Sequence, residues 1–357
     1  MNKRVCLMVA AVCLALFCLA GSLEAALYKY QDINPAGGIP SGVIYYTEAI
    51  NDAKQLTGYY QNNNVSPAVH GAFIWDPVKG WTLLQSLGGT NSYAHAINQQ
   101  GQIVGQAQTS SGANHACEWT DPSQAPTDLG LLAGYTGSVA HSINDSGMVV
   151  GASLGTNTHA CKWTAPQQPV DLGTLGGTNS FAYGINNAGQ IVGSARNAQG
   201  NSRACLWNAG QTTPQDLAVS LPNSCTAYAI NNQGNVMGQN PVTGIGMGSA
   251  FFWNHQTGAL QYIVGASGYD SSAVGLSDAN QVIGGDSVSQ KPFSWTPAGG
   301  TQDLNKLVVN LPHGVTISGV SDISHKHGYI IGTDSQGHPC LLTPIASLAG
   351  LNLLLMD

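Results

Sequence analysis

Charge is scarce in this 357-residue chain: Asp, Glu, Lys and Arg together supply 8% of it, against about a quarter in ordinary globular domains. The 11 Lys and Arg residues are scattered and the net charge is −7. No basic surface is available to displace counterions from phosphates, so non-specific nucleic-acid binding is excluded. Beyond residue 25 only two glutamates remain, Glu48 and Glu118, which leaves little material for acid/base work by paired carboxylates. A Gly-x-Ser-x-Gly elbow, a phosphate loop and a His-Glu-x-x-His motif are all missing. No Cys-x-x-Cys occurs past residue 25, so the usual zinc spacing is missing too. Nor is there a stretch with the apolar period of a helix. What the chain does have is 43% apolar residues and 45 glycines. That composition suits many short strands joined by turns, with Asn, Gln, Ser and Thr as a neutral surface.

The N-terminus has the features of an export signal. Lys3 and Arg4 precede an apolar stretch from Val5 to Ala20, and Leu23-Glu24-Ala25 offers a cleavage site. The apolar core is short for a membrane span. Residues 1–25 are therefore expected to be a signal peptide, and the product to be secreted, periplasmic or at the cell surface. It would meet the membrane only during export. Bulky Leu16 and Phe17 argue against lipidation at Cys18. Past residue 25 the cysteines are Cys117, Cys161, Cys205, Cys225 and Cys340. Their number is odd, so they cannot all pair within one molecule. Residues 345–357 form a short apolar tail, expected to add a strand or cover an edge.

One pattern recurs along residues 26–344. Its cleanest copy runs from Asp171 to Asn208, DLGTLGGTNSFAYGINNAGQIVGSARNAQGNSRACLWN. An Ile-Asn step marks each unit at Ile50, Ile97, Ile143, Ile185 and Ile230, with degenerate steps at Leu276-Ser277 and Val320-Ser321. The intervals are 47, 46, 42, 45, 46 and 44 residues, the period of propeller blades. Each unit divides into four strands. The first is the Asp-Leu-Gly-x-Leu segment. The second (like Ser180–Asn186) and third (like Gln190–Ala195) form a hairpin through Asn-x-x-Gly, and a variable loop leads to the fourth. In Phe181-Ala182-Tyr183-Gly184-Ile185 large and small residues alternate, as a strand buried on both faces requires. The expected fold is all-β: seven four-stranded repeats closed into a seven-bladed β-propeller, with an open β-solenoid as the alternative. Closure is favoured because it hides strand edges.

The fourth strand carries the sharpest signature: His70-Gly71-Ala72-Phe73-Ile74-Trp75, His115-Ala116-Cys117-Glu118-Trp119, His159-Ala160-Cys161-Lys162-Trp163 and Arg203-Ala204-Cys205-Leu206-Trp207. Versions at Ser249–Trp253, Lys291–Trp295 and His338–Leu342 follow. Together with Ile-Asn-x-x-Gly-x-Ile-Val-Gly, this pattern resembles the bacterial extracellular HAF-repeat proteins. The resemblance implies export and a propeller-like fold, and implies no catalytic motif. The chain departs from it by placing Cys at four of the seven Phe positions.

That exchange of Phe for Cys marks Cys117, Cys161, Cys205 and Cys340 as core residues. The Trp series (Trp75, Trp119, Trp163, Trp207, Trp253, Trp295) is expected to pack between repeats, and Trp81, outside the series, to be exposed. The triplet histidines alternate with Arg203, Ser249 and Lys291, which no metal ligand would tolerate. They are expected to bond neighbouring backbone. His325-Lys326-His327 is expected to be an exposed loop. A sharper set lies two residues before each Ile-Asn step: Glu48, His95, His141, Tyr183, Tyr228, Val274 and Ser318. If that strand lines the ring's channel, Glu48, His95, His141, Tyr183 and Tyr228 converge as a ligand-binding ring. A metal there is conceivable, though no cofactor is predicted. The bland alternative is a packed face whose polar tips are hydrogen-bonded.

The functional expectation is a non-catalytic secreted scaffold that binds an extracellular glycan or protein through its loops, those after Ala195 and Gln239 being the most variable. One alternative is a polysaccharide hydrolase or lyase, with Glu48, His95 and His141 as its machinery. Another is a structural component of an envelope or matrix.

Overall fold

The computed structural model describes residues 27–35, 38–217, 224–240, 249–268, 270–286 and 288–345. The expected signal peptide, the apolar tail beyond residue 345 and much of the loop after Gln239 lie outside them. Within them stand seven four-stranded antiparallel sheets arranged as a seven-bladed β-propeller. The solenoid alternative is thereby set aside.

Blade four shows the local logic. Its strands are Gly176–Ile185, Ile191–Asn197, Ser202–Trp207 and Gln215–Asp216, from the channel outward. The first two meet at Asn186, whose Oδ1 accepts the Gln190 N–H at 3.0 Å. Gly189 takes φ +78°, a conformation that a side chain makes costly. Ala182 and Ala204 are fully buried, so neighbouring blades pack closely.

Each innermost strand carries a β-bulge at the same place. In blade four Ala182 pairs with Gly193 and Gly184 with Val192, leaving Tyr183 unpaired between them. The equivalent unpaired residues are Glu48, His95, His141, Tyr228, Val274 and Ser321. The glycine of Ile-Val-Gly makes this possible. A Cβ on Gly193 would overlap the Phe181 carbonyl oxygen, and one on Gly105 that of Tyr93. Only a bare backbone lets the two strands approach so closely at the bulge.

Two boundaries differ from the sequence reading. The Asp-Leu-Gly segment does not open its own unit. Asp128 ends the outermost strand of the preceding blade, paired with Cys117, and Asp171 and Asp216 stand likewise opposite Cys161 and Cys205. The reason is burial: Leu129, one residue on, is 2% exposed and bonds back to Ala116. The seventh step is also re-phased. It lies at Ile323-Ser324, not Val320-Ser321, because Ile323 pairs with Ile330 at the strand end.

The shifted boundary explains how the ring closes. The N-terminal strand Leu27–Asp32 forms the outer edge of blade seven, beside Pro339–Ile345, with Asp32 opposite Cys340. Tyr28 is fully buried there. The apolar core is divided into seven clusters, one at each junction between blades. At the closing junction Ile331 and Leu341 of blade seven pack with Ile50 and Phe73 of blade one.

A second circle of bonds runs through the Asn-x-x-Gly turns. Asn51, Asn98, Asn144, Asn186 and Asn231 each donate Nδ2 to the carbonyl at the matching position of the next blade, at 3.0–3.1 Å. The following residue also hands its N–H onward: Asp52 to Gln99, Gln99 to Asp145, Asp145 to Asn187, Asn187 to Asn232 and Asn232 to Asp278. Asp278 N–H then reaches the His325 carbonyl, and the Lys326 and His327 amides return to the Asp52 carboxylate. The Ile-Asn step thus joins blades as well as shaping the turn.

Candidate functional site

The bulges decide what the channel contains. An unpaired residue is re-aimed out of the sheet, and here Glu48, His95, His141, Tyr183, Tyr228 and Val274 line one cavity of about 190 Å³. Blade seven departs from the sequence expectation. Ser318 bonds the Thr333 and Asp334 carbonyls within its own sheet. The bulged Ser321 turns to Thr47 Oγ1, 3.0 Å away. Asp322 lines the lumen instead, with His325. Sequence reasoning missed both; the correct phase of the worn seventh repeat would have pointed to that stretch.

The cavity wall is uneven. An aromatic run spans blades two to five, with ring centroids 6.1 Å apart for His95 and His141, 5.1 Å for His141 and Tyr183, and 5.3 Å for Tyr183 and Tyr228. It continues towards the mouth away from the Asn-x-x-Gly turns. Tyr93 lies parallel to His95 at 6.4 Å, Tyr59 meets Tyr93 edge-on at 5.0 Å, and Tyr46 stacks on Tyr59 at 4.8 Å. Tyr46 is 36% exposed. A step of aromatic faces therefore leads from solvent into the lumen. Opposite stand the carboxyl groups of Glu48 and Asp322.

Their environments set their charge states. Burial, and then the neighbouring Asp322 carboxyl, push Glu48 up to about 7. Burial raises Asp322 to about 6, against the Ile50 N–H it accepts at 3.0 Å. Burial lowers His95 to about 4, and burial followed by His95 lowers His141 to about 3. Tyr183 is raised to about 12, first by burial and then by Tyr228. At neutral pH both imidazoles are uncharged and the carboxyl pair retains part of its protons. Among the described residues, neither the Glu48 carboxyl nor a ring nitrogen of His95 or His141 has a hydrogen-bond partner. His325 Nδ1 is buried without one, its nearest carboxylate oxygen, on Asp278, lying 3.9 Å away. The ring is mixed in this respect: Tyr183 bonds the Ser194 side chain, whereas Glu48, His95 and His141 are half-buried and face the channel without a protein partner. Among the described residues no three His, Cys, Asp or Glu side chains are placed to share one ion.

The other sequence candidates resolve as framework. The cysteines are free and buried. Two triplet histidines pair with the aspartate of the outer strand rather than with backbone, His115 Nδ1 with Asp128 and His159 Nδ1 with Asp171, both at 2.8 Å; His338 lies 3.9 Å from Asp32, and His70 stacks on Tyr93 at 5.2 Å. Arg203 makes the same pair with Asp216 at 3.0 Å, which explains why Arg can replace His there. Five of the six series tryptophans are buried, Trp253 being the partly exposed one. Trp119 donates to the Gln85 carbonyl and Trp207 to that of Leu172. Trp81 is not simply exposed: its N–H bonds Ile33 and its ring lies 4.7 Å from Phe73. His325 and His327 are about half exposed, but their segment closes the turn circle rather than dangling.

No family model matches the sequence, and no curated protein matches it. Solved structures do resemble it in shape. A structure titled YCF48 bound to D1 peptide has a TM-score of 0.54 at 13% identity, covering 92% of this chain and 98% of that one. The β-propeller domain of the Trilobed protease from Pyrococcus furiosus, titled as having an open velcro topology, scores 0.56 at 9% identity over 87% and 97%. TolB from Acinetobacter baumannii scores 0.50 at 10% identity; the match covers 82% of this chain and 64% of that chain. At such identities the likeness concerns fold alone.

Proposed function

We propose that this chain is an exported, non-catalytic scaffold of the HAF-repeat kind, which holds an extracellular partner at the aromatic mouth of its channel. The observation that carries the reading is the run of rings from exposed Tyr46 through Tyr59 and Tyr93 to the unpartnered His95 and His141. Stacked frameworks bury their aromatics; this run opens to solvent at one end and to channel-facing polar groups without a protein partner at the other. A polypeptide is the favoured partner. Ligand sites for whole small molecules occupy about 300–1,000 Å³, so a cavity of about 190 Å³ suits one inserted side chain rather than a length of sugar chain. The peptide named in the YCF48 structure shows that a propeller of similar shape can be paired with such a ligand.

Retention of residues 26–357 on immobilised peptide arrays and on a polysaccharide panel tests the reading. Peptide retention should be lost in Tyr93→Ala and kept in Tyr262→Ala, a change at a 46% exposed tyrosine on an outer strand. Retention on glycans alone would transfer the site to a sugar partner. A second reading has one observation behind it: Glu48, His95 and His141 do share the cavity, as an acid/base centre would need. Polysaccharide turnover by the wild type, abolished in Glu48→Gln, would replace the scaffold reading with an enzyme.

A further inference from the structure

We infer that the channel cavity is a socket for a single alkylammonium group, such as a lysine side chain, with the Glu48 carboxylate as its counter-charge. This deepens the proposed function and rests on it for the partner, though not for the chemistry.

Three observations converge. First, Glu48 is an acceptor without a donor. Asp322 is committed to the Ile50 N–H at 3.0 Å, whereas nothing among the described residues donates to Glu48. Second, the lumen offers further acceptors besides Glu48. Uncharged His95 and His141 each present one bare ring nitrogen, and both rings face the same cavity as Glu48. Third, the wall beside them is made of ring faces, Tyr183 and Tyr228 with centroids 5.3 Å apart, which attract a cation through their quadrupoles.

Ligand classes can be ranked on that basis. An anion would meet two carboxyl groups across the lumen. A neutral alcohol would leave the Glu48 proton in place and gain little. A guanidinium prefers a planar, bidentate carboxylate, but the Asp322 carboxylate is already engaged and the other acceptors are scattered around the ring. An ammonium has three donors on a tetrahedral nitrogen, and separated acceptors from blades one to three match it. Its alkyl stem would lie along Tyr93 and Tyr59 towards the mouth.

Binding then carries a proton signature. The groups facing Glu48 are Asp322 from blade seven, Tyr59 on its own blade, His95, His141, Tyr183 and Tyr228 across the lumen, and His325 on the floor. Burial and Asp322 hold Glu48 partly protonated near neutrality. A bound cation favours the ionised form, so up to one proton leaves Glu48 for solvent as the ammonium enters, a fraction that falls as pH rises through the value of Glu48. Affinity should rise from about pH 6 to about pH 8 and then level off.

The probe is n-butylammonium chloride, with n-butanol and sodium butyrate as neutral and anionic isosteres. The readout is histidine ring NMR signals of the full exported chain, with calorimetry in buffers of different protonation enthalpy. The expected result is movement of the His95 and His141 signals by butylammonium alone, with proton release and at least about tenfold weaker binding in Glu48→Gln. Equal response to butanol, preference for butyrate, or an unchanged affinity in a folded Glu48→Gln would overturn the inference. Response to zinc without response to butylammonium would overturn it in favour of a metal site. The isostere comparison and pH dependence need only the wild type, so a variant that fails to fold does not remove the test. Peptide-array failure with butylammonium binding intact would reject the partner and keep the socket.

Discussion

At the scale of single residues, the lumen holds two opposed sets of protons. Glu48 and Asp322 have raised values, about 7 and about 6. The folded state therefore binds more protons than the unfolded chain, and their contribution to stability falls as pH rises through that range. His95 and His141 are lowered to about 4 and about 3. Their contribution is lost on acidification and recovered as pH rises towards 6.5, the ordinary value given for each. The two effects offset each other between roughly pH 4 and 6.5. Removing one set should expose the other. The pair His95→Gln/His141→Gln should lose stability between about pH 5 and 7, and Glu48→Gln should gain it between about pH 4 and 6.5, each by ~1–3 kcal/mol. Urea denaturation at each pH measures both slopes, and equal slopes in the two variants would refute the assignment. The cysteines make a separate prediction. All five are buried, and burial raises the thiol of each. In the chain of residues 26–357 a thiol reagent should find none accessible in the native state and all five after unfolding.

At the scale of strands and turns, a bare backbone opposite each bulge sets the direction of the lumen residues. Gly193→Ala forces a Cβ onto the Phe181 carbonyl oxygen, whereas Gly319→Ala meets nothing within 4 Å. The first should cost at least about 2 kcal/mol and the second under about 1; chemical denaturation compares them directly. Asn186 is 2% exposed, caps its own turn and bonds the next blade at 3.1 Å. Asn186→Ala should cost about 1–3 kcal/mol, because it leaves the Gln190 N–H unmet and takes one of two bonds from the Asn231 carbonyl, which keeps the Gly234 N–H. Asn186→Asp keeps the acceptor for the turn and loses the donor to the next blade, so it should fall between. The hairpins, the glycine turns and the alternation of sizes were legible in the sequence because they are local. The blade boundary was not. Asp-Leu-Gly precedes the hairpin in the chain, and only the pairing of Asp128 with Cys117 reveals that it completes the previous sheet. The seventh step was misplaced for a related reason: Val320-Ser321 mimics the motif, and pairing of Ile323 with Ile330 decides against it.

At the scale of the whole molecule, closure depends on six residues at the N-terminal end of the ring. Leu27–Asp32 brings buried Tyr28 and Tyr30 onto blade seven, and Tyr30 donates its hydroxyl to Asp334 at 2.9 Å. Two buried aromatic side chains are worth about 3–6 kcal/mol, and an exposed strand edge would be created besides. Deletion of residues 26–32 from the chain of residues 26–357 should lower the melting temperature by several degrees and promote association. Calorimetry with light scattering checks this, and an unchanged melting temperature would rule out the closing role of that strand.

The sequence by itself determined the all-β class, seven units, their four strands, the buried cysteines and the positions of five lumen residues. Those properties follow from period, from alternation and from turn chemistry, which act over a few neighbouring residues. Tertiary structure alone decided which blade each outer strand joins, how the ring closes, that Asp322 and His325 face the lumen and Ser318 does not, and that His115 and His159 meet aspartates. Each of these depends on pairing or on convergence across the ring axis. Residues far apart in the chain, such as Glu48 and Asp322, share one small volume only when seven sheets have closed around it.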